Sequence, residues 1–294
     1  MDRRDFLKLS GAGLGALFLG GACTARAKAA WKGKAMLYDA TMCTGCRACQ
    51  MACKRENDMP AETGTNELYE KPSDLSASTR TLIKVAEVEQ SGEWSFVKQQ
   101  CMHCLHPACV SACPVGALQQ TEFGAVVYRG ERCIGCRYCM VACPFSIPRF
   151  EWDKSLPYIQ KCDFCVDRLE EGVPPACAEV CPTGAITFGD RDALIAEAER
   201  RINSSPDKYV DHIYGKEELG GTSMLYLSSI PFEKLGFPNL DSEPVTELSE
   251  AVATYGTPGV ALSVASLLGG LYYWFSNQER EGRSEAAANQ KEEA

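Results

Sequence analysis

The sequence predicts an α+β fold of two small cysteine-ligated modules, with an inserted β-hairpin and a C-terminal transmembrane helix. Three observations carry that expectation. Sixteen of the 17 cysteines fall into four tight groups between residues 43 and 181. Those groups repeat in an alternating pattern along the chain. Residues 251–278 contain no charged side chain. The 294 residues allow one large domain or two small ones with terminal extensions. A net charge of −9 lacks the basic footprint of a nucleic-acid binder.

The cysteine groups explain the modules. They read Cys43, Cys46, Cys49 and Cys53; Cys101, Cys104, Cys109 and Cys113; Cys133, Cys136, Cys139 and Cys143; and Cys162, Cys165, Cys177 and Cys181. The first and third follow the C-x2-C-x2-C-x3-C run of bacterial ferredoxins, and Pro114, Pro144 and Pro182 follow the last cysteine of the second, third and fourth groups. Structural zinc sites use two separated pairs instead, and disulfide frameworks spread their cysteines along a chain. Iron–sulfur clusters, most simply four [4Fe–4S] centres, account for triplets spaced by three.

The repeat explains why there are two modules. Cys43-Thr-Gly-Cys46-Arg-Ala-Cys49 parallels Cys133-Ile-Gly-Cys136-Arg-Tyr-Cys139, and Cys113-Pro-Val-Gly-Ala-Leu118 parallels Cys181-Pro-Thr-Gly-Ala-Ile186. Each two-cluster module needs two groups, and the last cysteine of each group ligates the other group's cluster. Spacing leaves the pairing open between tandem (one with two, three with four) and nested (two with three, one with four). Between groups one and two, Thr81–Val88 and Trp94–Val97 alternate about a Ser91-Gly92 turn, which predicts the inserted hairpin. A second hairpin is expected around Gly124, from residues 117–121 and 125–128. After it, Leu194, Ile195, Ala198 and Ile202 predict an amphipathic helix with Asp190 as its N-cap.

The two ends carry targeting signals. Arg3-Arg4 followed by the uncharged stretch Leu9–Ala25 reads as a twin-arginine export signal over residues 1–27. That route carries proteins already folded around their cofactors, so reduced thiols can be loaded before export. Gly11-Ala-Gly13-Leu-Gly15-Ala16 satisfies a dinucleotide-binding pattern, but no strand precedes it and it belongs to the signal. Cys23 lacks a lipoprotein context, since Gly20 stands where such signals have Leu. At the other end, residues 251–278 supply the ~20 apolar residues that a spanning helix needs. Tyr272, Tyr273, Trp274 and Phe275 form an aromatic belt at one interface. Arg280, Arg283 and Lys291 in the tail 279–294 place it in the cytoplasm by the positive-inside rule, leaving the cysteine domain (31–190) on the periplasmic side. Residues 191–250 are expected to form a helical or irregular extension that packs on a partner.

Taken together, these residues resemble the four-cluster ferredoxin-like electron-transfer subunits of periplasmic respiratory complexes, the group of formate dehydrogenase beta and dimethyl sulfoxide reductase electron-transfer subunits. His212-Ile-Tyr-Gly215, Gly220 to Leu227 and Pro231 to Pro238, followed by an anchor, are most similar to the hydrogenase-2 type of iron–sulfur subunit and also to subunits of high-molecular-weight cytochrome complexes. The resemblance implies nested pairing. It implies four [4Fe–4S] clusters, on Cys43, Cys46, Cys49 and Cys181; on Cys162, Cys165, Cys177 and Cys53; on Cys101, Cys104, Cys109 and Cys143; and on Cys133, Cys136, Cys139 and Cys113. It implies a relay between a periplasmic catalytic subunit, a hydrogenase foremost, and a quinone-reactive subunit of the inner membrane. No nucleophile elbow, zinc-protease helix or P-loop is present, so no catalytic residue is expected. His103 and His106 read as loop residues beside ligands, and His212 as a surface histidine.

Overall fold

The computed structural model describes residues 33–61, 72–88, 92–246, 250 and 255–292. The expected export signal, Cys23, Ser91 of the expected turn and residues 251–254 lie outside them. The chain divides into two compact units, Met1–Pro244 and Val245–Ala294.

In the first unit the elements run β1 (Lys34–Asp39), α1 (Ala48–Glu56), β2 (Leu82–Val88), β3 (Glu93–Gln99), α2 (Ala108–Ser111), β4 (Leu118–Gln120), β5 (Val126–Tyr128) and α3 (Tyr138–Ala142). They continue β6 (Arg149–Phe150), β7 (Ile159–Gln160), α4 (Val166–Glu170), α5 (Ala176–Glu179), β8 (Ile186–Asp190), α6 (Arg191–Ser204) and β9 (Met224–Leu227). Strands β2 and β3 form the inserted antiparallel hairpin, and β4 and β5 the second one.

A three-stranded sheet in the order β8-β1-β9 organises this unit. β1 pairs antiparallel with β8 and parallel with β9. Successive side chains on a strand face opposite ways, so β1 and β9 serve two cores at once. Met36, Tyr38, Met224 and Tyr226 pack among the cysteines of groups one and four. Ala35, Leu37, Leu225 and Leu227 pack against Leu194, Ala198 and Ile202 of α6. Each fully buried leucine of this kind contributes about 1.5–3 kcal/mol. Much of the stretch expected to pack on a partner is therefore built into this chain's own body. Its sequence signal is the short apolar run Met224–Leu227, too brief to separate strand from helix by periodicity.

Helix α6 forms where the apolar spacing places it, but its cap differs from expectation. Asp190 holds the N-cap position without capping the helix through its side chain. Its carboxylate accepts from Lys34 Nζ at 2.7 Å instead, tying the start of β1 to the end of β8. Asp39, fully buried at the other end of β1, accepts from Thr41 N (3.0 Å), Thr41 Oγ1 (2.6 Å), Tyr209 OH (2.9 Å) and Arg201 Nη1 (3.0 Å). A buried carboxylate is tolerated only when its lone pairs are satisfied in this way. The network fixes the chain as it enters cysteine group one.

The second unit is dominated by α7 (Thr257–Glu292), in which Pro258–Arg280 is a 23-residue candidate span of mean hydropathy 1.3. At 1.5 Å per residue it measures about 35 Å, enough to cross a hydrocarbon core of about 30 Å. Its apolar window is wholly exposed within the structure, unlike the core helix of a soluble protein.

Candidate iron–sulfur centres

The loops that carry the first three cysteines of groups one and three share one backbone course. Gly45 and Arg47 have φ of 68° and 57°, and Gly135 and Arg137 have 70° and 63°. Left-handed residues alternating with ordinary ones curl the loop tightly, and the glycine N–H turns back onto the first sulfur. Gly45 N donates to Cys43 Sγ, and Gly135 N to Cys133 Sγ, each at 3.4 Å. In groups two and four the curl uses His103 (49°), Phe164 (66°) and Cys165 (50°), with Gly116 and Gly184 three residues after the last cysteine at 61° and 67°. There Ala117 N donates to Cys113 Sγ at 3.2 Å and Phe164 N to Cys162 Sγ at 3.4 Å. Backbone donors aimed at sulfur stabilise the anionic thiolate a metal cluster requires.

The two matching glycines are not equivalent. A Cβ on Gly135 meets nothing within 4 Å, whereas one on Gly45 would strike the Phe96 ring of β3. Left-handed backbone alone costs an L-residue about 1–2 kcal/mol, and overpacking adds about 1–3 kcal/mol. Gly135→Ala is expected to lower the urea midpoint for bleaching of cluster absorbance slightly, and Gly45→Ala by at least twice as much. Equal shifts would remove Phe96 as the cause.

The thiols gather across groups as well as within them. Burial pushes Cys49 up to about 11, with Cys177, Cys43 and Cys181 adding to the effect and Lys98 opposing it. Burial pushes Cys53 up to about 12, with Cys177 and Cys165 adding. Burial also raises Cys162 well above the ordinary thiol range, and Cys53, Cys101 and Cys165 raise it further. For Cys104 the raising neighbours after burial are Cys101, Cys143 and Cys109. For Cys139, pushed up to about 11 chiefly by burial, they are Cys113, Cys133 and Cys136. Thiols crowded and buried like this resist ionising by themselves, so their pairing with a cation has to accompany deprotonation.

Strand pairing follows the same grouping. β1, which leads into group one, pairs with β8, which leaves group four. β5, which leads into group three, pairs with β4, which leaves group two. Helices α1 and α5 pack together, as do α2 and α3. Among the described residues no three His, Cys, Asp or Glu side chains converge closely enough to hold a single metal ion. A tetrahedral zinc draws its sulfurs to about 2.3 Å from one point; a four-iron cube takes one thiolate at each corner and holds its ligands further apart. The donor set fits the cube.

His103 is more than a loop residue. It is fully buried, and its Nδ1 accepts from Val126 N at 2.9 Å. The ring is kept neutral by burial first and by Lys161 second. The proton therefore sits on Nε2, which lies 3.5 Å from Cys162 Sγ and donates to it. His212 is half exposed and pairs with Glu218 at 2.8 Å.

A family model described as a 4Fe-4S dicluster domain matches residues 92–191, which take in cysteine groups two, three and four. The chain is 36% identical to the hydrogenase-2 operon protein HybA of Escherichia coli O157:H7, over 92% of this chain and 93% of that protein. The chain belongs to the HybA family of iron–sulfur subunits. It is also 43% identical to the iron–sulfur subunit of the nitrate-inducible formate dehydrogenase of Escherichia coli K12, over 66% of this chain and 67% of that one. A protein of Nitratidesulfovibrio vulgaris is 44% identical over 80% of this chain, which spans 66% of that relative's length. Membership in the HybA family makes the chain a 4Fe–4S electron-transfer subunit of the respiratory-complex kind.

Proposed function

We propose that the chain holds four [4Fe–4S] clusters and relays single electrons between a periplasmic catalytic subunit, a nickel–iron hydrogenase, and a quinone-reactive subunit of the inner membrane. The single observation that carries the count and the ligands is the gathering of thiols across groups. It supports Cys43, Cys46, Cys49 and Cys181 for the first cluster and Cys53, Cys162, Cys165 and Cys177 for the second. It supports Cys101, Cys104, Cys109 and Cys143 for the third and Cys113, Cys133, Cys136 and Cys139 for the fourth. Bound there, each cluster supplies one-electron chemistry, with a potential tuned by hydrogen bonds, charge and exposure.

The protein's own part is to hold the sites in a row and to keep water from the inner ones. Cys49 feels Cys177, Cys162 feels Cys101, and Cys109 feels Cys139, so successive sets adjoin. The two outer sets present the exposed cysteines Cys46 and Cys136. Around Cys136 the apolar side chains of Ile134 (65%), Tyr138 (61%) and Val141 (88%) stand exposed, a surface suited to a redox partner. No catalytic residue is assigned to the chain. The export signal and the α7 span support a place on the periplasmic face of the inner membrane, with the tail in the cytoplasm.

The likeness to HybA over nearly the whole of both chains favours a hydrogenase. The likeness to formate dehydrogenase iron–sulfur subunits supports a second reading, a molybdenum enzyme as partner. Affinity purification of the tagged chain from detergent-solubilised membranes decides between them. Hydrogen-dependent dye reduction by the eluate is the expected result. Formate-dependent reduction instead would keep the relay and replace the hydrogenase.

A further inference from the structure

We infer that Lys98 is a fixed counter-charge that raises the reduction potentials of the two clusters proposed for cysteine groups one and four. The inference rests on the four-cluster reading. Lys98 lies on β3 and is fully buried. Its Nζ donates to Gln100 Oε1 at 2.5 Å and to Thr81 Oγ1, both neutral acceptors. Among the described residues no carboxylate pairs with it, although buried ammonium groups are ordinarily matched by an opposite charge. Its strand packs on the core that holds cysteines of groups one and four: Val97 shares that core with Cys49 and Cys177, and Phe96 lies against Gly45 of the group-one loop. Cys177, Cys49, Cys162 and Cys53 favour its charged form against the opposing effect of burial, and Lys98 in turn opposes the rise of Cys49 and Cys53. These four are proposed ligands of two different clusters, so the ammonium stands at the junction of both.

The physical consequence has a definite sign. Reduction adds one negative charge to a cluster, and a fixed positive charge within a poorly screening interior stabilises the reduced form. Neighbouring charge is one of the levers that set cluster potential. A merely structural lysine, present to bond Thr81 and Gln100, would leave the potentials where they are.

The test is a redox titration of the anaerobically purified full-length chain in detergent, followed by electron paramagnetic resonance, after iron content has been measured. In Lys98→Met, two of the four transitions are expected at lower potential. The loss is at least about tenfold in the one-electron equilibrium constant, about 59 mV. The transitions of groups two and three should stay in place, and Lys98→Arg should stay near the parent. Gln100→Glu places a carboxylate against Nζ and is expected to shift the same two transitions in the same direction. Unchanged potentials in a neutral variant that retains its iron overturn the inference. So does failure of both Lys98→Met and Gln100→Glu to load, which places the residue in folding. Parent protein with less iron than four clusters need would instead overturn the four-cluster reading.

Discussion

Replacing Cys143 by alanine is expected to remove the cluster held by Cys101, Cys104 and Cys109, while the run Cys133, Cys136 and Cys139 to which it belongs in sequence keeps its own. The reason is electrostatic neighbourhood: Cys143 is among the thiols that raise Cys104 and Cys109, ahead of Cys139 at the latter, whereas those that raise Cys139 are Cys113, Cys133 and Cys136. Iron analysis of three variants reads the connection. Cys104→Ala and Cys143→Ala should each lose about one cluster's iron, and the double variant no more than either, because both thiols serve one site. Tandem pairing predicts additive loss of two clusters from the double variant. An additive result would therefore refute the nested arrangement without touching the cluster chemistry.

That pairing marks where the sequence stops being informative. The cysteine runs, both hairpins and α6 are local features, set by spacing, alternation and turn residues within a dozen positions, and they were legible. The union of β1 with β8 joins residues as far apart as Lys34 and Asp190. Residue spacing carries no trace of such a partner, which is why it left two pairings open. β9 was hidden for a related reason: four apolar residues read equally as strand or buried turn. It became a strand only because β1 offers an unpaired edge with the same alternation. His103 was missed as a sulfur donor because a histidine's tautomer depends on what its other nitrogen accepts, here the N–H of Val126 more than 20 positions away. Asp190 had the right residue type for an N-cap, but an ion pair with Lys34 won its carboxylate.

Removal of iron is expected to unfold the first unit almost completely. Its local structure is too slight to stand by itself: α2 and α5 have four residues each, α3 and α4 five, and β6 and β7 two. Isolated helices below about 12 residues are marginal in water. What gathers them is a set of cores in which Cys49, Cys177, Cys101, Cys162, Cys109 and Cys139 are themselves buried members. Emptied of metal, these sites would leave crowded thiols and donors without acceptors where the clusters had been. Structural metal sites contribute on the order of 10 kcal/mol to folding, comparable to the whole stability of a domain at about 5–15 kcal/mol. Chelation under reducing conditions should therefore abolish the far-ultraviolet signal of the first unit and open it to protease within minutes. In detergent, α7 should keep its helicity, because its backbone bonds are internal. The β2–β3 hairpin should not survive: Lys98 would remain buried on it without the thiolates around it, and an uncompensated interior ammonium opposes folding. A compact, protease-resistant apoprotein would show that the apolar sheet and α6 carry the fold by themselves, and that the clusters are guests rather than its core.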